Sequence, residues 1–309
     1  MKRIITFTVG LLLIAFAFTW FVLPVTMSQL LISLNNQFSG LSAKTVETKI
    51  GPIHYLEGGQ GETIVLLHGI FARKEHWVDL ARTLTPYYRV IAIDLPGFGD
   101  NQKLEPQDYE LSAQAENLHI VMKALKIDLA HFAVNSMGAM VVGILAKEQP
   151  QLLKSLAFIG SPLGVPTKID SDMQKAIKVG IIPLLVKSES DFDERNHWLF
   201  PEIPVIPAPI LQTWKQQELQ DTQINEQIWH AANRSTNTPN LIEIAPSLTM
   251  KTLILWCNQD RIFHVSGAEV LHEALPNSMT QILNQCGHLP MLDSHIEVSD
   301  LYLSFLSSH

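Results

Sequence analysis

The sequence predicts an α/β architecture: a mostly parallel eight-stranded sheet with helices on both faces and an inserted helical cap. Three observations carry this. Strand-length apolar runs alternate with helix-length segments along most of the 309 residues, the pattern of a parallel sheet whose crossovers are helices. That alternation breaks between Ser161 and Leu248, a stretch too long to be a loop in a compact domain. Three residues with distinct chemistry, Ser136, Asp260 and His288, each follow the end of a predicted strand.

Strands are expected at 45–50, 54–56, 63–67, 90–93, 130–134, 154–159, 252–256 and 280–283. Helical patterns fill 76–84, 112–125 with Ser112 placed to cap, 137–147, 265–275 and 296–306. The break holds Pro162, Pro166, Pro183, Pro201, Pro204, Pro207 and Pro209, with Trp198, Trp214 and Trp229. It reads as a subdomain inserted between two strands. Its apolar run 179–186 lacks strand alternation, as expected of a lid that binds an acyl chain or of a small cap with its own core. The expected organisation is residues 1–24 as anchor or signal, 25–44 as linker, 45–160 with 247–309 as core, and 161–246 as cap.

Hydrophobic residues make up 47% of the chain, enough for a large core, and the formal net charge is −8. That acidic balance leaves no footprint for nucleic acid. Met1-Lys2-Arg3 precedes twenty residues, 4–23, without an ionisable side chain, closed by Pro24. As a helix this run would span ~30 Å, the hydrocarbon thickness of a bilayer. A signal-peptide core is shorter, roughly 7–15 residues. Ala15-Phe16-Ala17 has cleavage-site spacing, yet the apolar run continues past it. An uncleaved anchor is therefore expected, with a cleaved signal and a secreted protein as the alternative. Lys2 and Arg3 would hold the N-terminus in the cytoplasm, so in a bacterium the remainder would lie in the periplasm. Cys257 and Cys286 are expected near the ends of neighbouring parallel strands, where disulfide geometry is rare; two free thiols are favoured.

A serine hydroxyl becomes a nucleophile only beside a base that a carboxylate orients, with donors for the developing oxyanion. The order Ser136, Asp260, His288, each after a strand, is the order of the α/β-hydrolase triad. Val134-Asn135-Ser136-Met137-Gly138 reads as a strand-turn-helix elbow that presents Ser136 and the Met137 N–H. The second donor is expected from His68-Gly69-Ile70-Phe71, where Gly69 would turn the Ile70 N–H toward the site. Phe71, Val179, Ile182 and Leu185 are the expected acyl contacts. His264, His272 and His295 lack a strand-Gly setting, and no His, Cys or Asp spacing points to a metal or other cofactor.

These motifs resemble membrane-anchored monoacylglycerol lipases and related bacterial lipases of the α/β-hydrolase superfamily. The resemblance rests on residues 67–77, Asp94-Leu95-Pro96-Gly97-Phe98-Gly99, Asn135-Ser136-Met137-Gly138, 255–260 and 265–269, and covers roughly 46–306. It implies Ser136 as nucleophile, Asp260 as acid and His288 as base, under a helical cap, with a lipid or small acyl-ester substrate and no obligate protein partner. Three positions depart from the family pattern. Val134 and Ala139 stand where the elbow usually has glycine, and Cys257 stands where glycine is usual beside the acid's loop. Val134 shares a strand face with Ser136, so a shifted helix or a distorted elbow is expected. Two other functions fit the same sequence. A C–C bond hydrolase of meta-cleavage type would use Arg195 and Arg234 to hold a carboxylated substrate. A membrane-tethered scaffold with a decayed site would follow from a distorted elbow.

Overall fold

A computed structural model describes Thr8, residues 16–233 and residues 240–308. Eight strands form one sheet: β1 (Leu41–Thr48), β2 (Gly51–Gly58), β3 (Thr63–Leu67), β4 (Arg89–Ile93), β5 (Ala130–Ser136), β6 (Leu153–Pro162), β7 (Lys251–Cys257) and β8 (Ser278–Leu283). Their spatial order is β1-β2-β4-β3-β5-β6-β7-β8. β2 pairs antiparallel with β1 and with β4, and every other pairing is parallel. The inner strands β3, β4 and β5 are apolar on both faces because both faces are covered.

Strand alternation divides the core in two. Val65, Leu67, Ile91, Ile93, Phe132 and Val134 point into one layer, and Ile64, Leu66, Val90, Ala92 and Ala133 into the other. The first layer packs against α4 (Leu111–Ala124), α5 (Met137–Glu148), α10 (Leu241–Ile244) and α11 (Gly267–Ala274). The second packs against α3 (Val78–Leu84), the short α12 (Pro290–Asp293) and the C-terminal α13 (His295–Ser307). Residues 137–146 of α5 are all buried, which explains a helix apolar on every side. Helix α4 starts from Glu110 as its N-cap, so Ser112 lies inside the helix instead of capping it.

The stretch 25–44, expected as a linker, is ordered secondary structure. Helix α1 (Phe16–Val22) is followed after Leu23 by α2 (Pro24–Phe38), and the two are bent by 114°. Arg82 of α3 ties α2 down, donating to Asn35 Oδ1 at 2.7 Å and to Ser39 Oγ at 3.2 Å. Strand β1 then begins at Leu41, four residues before the predicted start. Only Leu41 in its first half is buried; β1 is an edge strand held by β2 on one side, so its exposed polar residues gave no apolar signal. Among the described residues, no single helix is long and apolar enough to cross a membrane.

Between β6 and β7 the chain forms α6 (Asp172–Lys178), α7 (Glu189–Leu199), α8 (Ala208–Gln220), α9 (Thr222–Ala232) and α10. Ser171 and Gln174 form a reciprocal capping box at the start of α6, and Ser188 caps α7. Residues of α7 and α8 line a cavity together with Ser136, at the C-terminal end of β5.

Candidate active site

Ser136 is the last residue of β5 and the N-cap of α5, with φ 51° and ψ −118°. A non-glycine residue in this region is strained, and only surrounding packing holds it there. The packing is visible in two glycines. A Cβ on Gly69 would lie 2.9 Å from Ser136 Cβ, and one on Gly138 would lie 2.5 Å from the His68 carbonyl oxygen. Only glycine lets the β3 loop and the start of α5 approach this closely. Val134, one residue before Asn135, is fully buried in the same layer as Met137 and Ala139. With valine there the backbone still turns at Ser136 with positive φ, and the pairing of β5 with β6 shifts register between Val134 and Ser136.

The loop after β3 is fixed from below. The Leu95 N–H donates to His68 Nε2 at 3.0 Å, which leaves the proton on Nδ1, 2.7 Å from the Gly69 carbonyl. Burial holds the His68 imidazole well below the usual histidine pKa, so the ring stays neutral in this role. Lys74 donates to Asp94 at 2.7 Å and to Asp100 at 2.5 Å. Burial opposes its charge, but Glu75, Asp94 and Asp100 together raise the Lys74 pKa above its ordinary value. Phe71 follows with φ 55°, a second strained position beside Ser136. Among the described residues no chain acceptor takes the Ile70 N–H. The Met137 N–H opens α5, where the first four N–H groups lack intrahelical acceptors.

Asp260 and His288 meet across the ends of β7 and β8. Asp260 Oδ2 lies 3.1 Å from His288 Nδ1. The other carboxylate oxygen accepts from the N–H groups of Ile262 at 2.8 Å and Phe263 at 3.1 Å. Main-chain bonds hold the imidazole's segment on both sides: the His288 N–H donates to the Leu199 carbonyl at 2.8 Å, and Asn135 Nδ2 donates to the His288 carbonyl at 3.1 Å. With Nδ1 engaged by Asp260, Nε2 is the free nitrogen. Ser136 and His288 line one cavity, together with Gly69, Ile70 and Phe71.

Sequence reasoning missed Ser161. Its hydroxyl, at the end of β6, donates to Asp260 Oδ2 at 2.5 Å and lies 2.9 Å from His288 Nδ1. A lone serine before a proline carried no signal; only the register of β6 beside β5 and β7 brings it there. Ser161→Ala is expected to lower kcat for a soluble ester by roughly tenfold, the scale of a hydrogen bond to a charged group. Steady-state kinetics on the variant check this; an unchanged kcat would mean that Asp260 orients His288 alone. Asp293 was missed too. It accepts the Gly287 N–H at 2.8 Å, and burial raises its carboxyl pKa to about 6.

Two further expectations change. Cys257 and Cys286 form a disulfide with a Cα–Cα separation of 5.3 Å, not two free thiols. Cys257 closes β7, but Cys286 lies three residues beyond the end of β8. The chain has turned by then, with Gln285 at φ 61°, so the geometry of paired parallel strands does not apply. Of the expected acyl contacts, Phe71 lines the cavity. Val179 is 74% exposed, beside Gly180, whose φ of +84° turns the chain outward. Ile182 and Leu185 pack into a small cluster with Met173, Trp229 and Ile262. The run 179–186 contributes Leu184 to the cavity instead, and the cap side of the apolar wall comes from Phe192, Leu199, Phe200, Ile206 and Leu211.

A family model described as the alpha/beta hydrolase fold matches residues 62–179. A solved structure of a membrane phospholipase A, described as a bacterial virulence factor, superposes with a TM-score of 0.88 at 32% identity; the match covers 99% of this chain and 98% of that one. The chain belongs to the α/β-hydrolase family. Among its relatives in that family is Lipase 3 of Moraxella sp. (strain TA144), 27% identical over 92% of this chain and 90% of the relative. A monoacylglycerol lipase of Bos taurus is 24% identical over 81% and 77% of the two chains.

Proposed function

We propose that this carboxylester hydrolase cleaves single-chain acyl esters of glycerol, with Ser136 as nucleophile, His288 as base and Asp260 as its orienting carboxylate. The observation that carries the reading is the strained Ser136 facing one apolar-walled cavity with His288, whose Nδ1 is bonded to Asp260. His288 Nε2 takes the Ser136 proton as Oγ attacks the ester carbonyl. The oxyanion falls to the N–H groups of Ile70 and Met137, each of which contributes ~10²–10³ in rate in such sites. His288 then returns the proton to the departing alcohol and next activates water, whose attack releases the fatty acid and restores Ser136.

Helices α7 and α8 act as the cap, and apolar side chains from them and from the segment between them hold the acyl chain. The N-terminal segment is the membrane tether: residues 4–23 carry no charge, and Phe16, Phe18, Phe21 and Val22 are exposed. The catalytic domain then lies outside the cytoplasm, a setting that suits the Cys257–Cys286 pair because disulfides persist in oxidising compartments.

Rates on p-nitrophenyl esters of increasing chain length, followed through the concentration at which each aggregates, test the substrate class. Activity that climbs with chain length and gains above aggregation is expected. Hydrolysis confined to short soluble esters would remove the lipid reading and leave a plain esterase.

A further inference from the structure

The wall of the cavity is not uniformly apolar. His76, Arg195 and Trp214 line it beside the acyl-contacting residues. The nitrogens His76 Nδ1, Arg195 Nε and Trp214 Nε1 are each buried and have no partner among the described residues. Arg195 as a whole is only 7% exposed. Buried polar atoms are paired in folded proteins with few exceptions, so three orphans on one cavity wall need a reason.

The three belong to one corner. The His76 and Trp214 rings lie 5.9 Å apart between centroids. His76 has its pKa lowered to about 3, first by burial and then by the nearby Arg73 and Arg195. It is therefore a neutral imidazole, with one nitrogen to donate and one to accept. Trp214 is held in place by Arg73, whose guanidinium lies over the indole at 5.2 Å and donates to Gln217 on the same helix at 3.1 Å.

Charge narrows what the corner can take. The Arg195 guanidinium is already paired with the Glu218 carboxylate, and Glu218 also lines the cavity. An anionic group placed against Arg195 would therefore meet a carboxylate beside it. A hydroxyl fits better, because it accepts from Arg195 Nε or Trp214 Nε1 and donates to the imidazole or to Glu218.

We propose that His76, Arg195 and Trp214 form a polar subsite for the alcohol side of the substrate, one that takes a neutral, hydroxyl-bearing moiety such as a glycerol ester's free hydroxyls. This rests on the reading of Ser136 as nucleophile, and it adds a basis for selecting polyol esters over simple alkyl esters. A site built to hydrogen-bond a substrate hydroxyl rejects the analogue without it, because its own polar groups are then left unpaired.

The test compares the full-length protein with two variants on three decanoyl substrates: 1-decanoylglycerol, methyl decanoate and 1-decanoyl lysophosphatidylglycerol. Trp214→Phe keeps the ring and removes one donor. Arg195→Lys keeps the charge opposite Glu218 and removes Nε. In the wild type, kcat/KM is expected to be highest for decanoylglycerol. Trp214→Phe is expected to lower the ratio of glycerol ester to methyl ester by about fivefold, the value of one neutral hydrogen bond, and Arg195→Lys by about tenfold, because the guanidinium donor is charged. A ratio unmoved in both variants, or a wild-type preference for the anionic lysophospholipid, would overturn the subsite. Fluorophosphonate labelling of Ser136, followed in parallel, separates the two levels. Labelling with an unmoved ratio removes the subsite alone, whereas a wild type that neither labels nor cleaves any of the three esters removes the mechanism and the subsite with it.

Discussion

Ser136→Ala is expected to lower ester hydrolysis on the order of 10⁵- to 10⁶-fold and to abolish labelling by a fluorophosphonate. The size follows from how the triad works. Removing the nucleophile of such a unit costs about as much as removing all of it, and the residual rate comes from the oxyanion donors and binding. His288→Ala should be equally severe, and the double variant no worse than either alone. Asp260→Asn should be milder, with kcat down by roughly 10⁴, because it mainly spoils the imidazole's tautomer. Here the loss should be smaller still, since Ser161 remains 2.9 Å from His288 Nδ1. The check is kcat on a soluble p-nitrophenyl ester, with labelling read on the same samples. Wild-type labelling by a second serine after Ser136 is removed would sink the assignment.

The elbow makes a related point about strain. Ser136 at φ 51° and Phe71 at φ 55° flank the cavity, and both are non-glycine residues where glycine would be relaxed. Folding free energy elsewhere holds them there. The Lys74 cluster and the buried His68 supply that support on the Phe71 side. On the Ser136 side, the fully buried α5 supplies it.

The sheet was legible because its inner strands are buried on both faces and so are written as continuous apolar runs such as Thr63–Leu67. The residues of the candidate site were legible because each sits at a strand end with a local turn signal: Gly69, Gly138 and Gly287 mark three of them. What escaped was set by contacts distant in sequence. Ser161 reaches Asp260 and His288 across 99 and 127 residues, and no local pattern encodes that. The cavity wall escaped for a similar reason. The run 179–186 is apolar enough to be an acyl contact, yet Val179 faces solvent, and apart from Leu184 the cap side of the wall is built from α7, α8 and the segment between them. Composition gives the hydrophobicity of such a segment but not its direction when it has neither helical nor strand period. The first half of β1 shows the converse, a polar stretch that is ordered only because its backbone pairs with β2.

Breaking the Cys257–Cys286 link is expected to cost about 3–4 kcal/mol of stability, from the loop-closure entropy of a 29-residue separation. In a chain of this size that is a fall of roughly 5–6 °C in Tm. The activity consequence is more specific. Cys257 lies three residues before Asp260, Cys286 lies two before His288, and the Asp260 N–H donates to the Cys257 carbonyl at 3.3 Å. The bond therefore ties the acid's loop to the base's loop at their roots. The acyl cavity is built largely from other elements, so Cys257→Ala/Cys286→Ala should lower kcat more than it raises KM. Both cysteines are fully buried, so a reductant acts only when the site opens, and the folded protein should lose activity slowly in dithiothreitol but quickly near its Tm. Thermal unfolding and steady-state kinetics on oxidised protein and on the double variant check both parts. Equal Tm and equal kcat would show that packing around β7 and β8 already holds Asp260 against His288 without the covalent tie. A fall in Tm with kcat intact would confine the disulfide to stability and leave the alignment of the pair to Ser161 and the backbone bonds of Ile262 and Phe263.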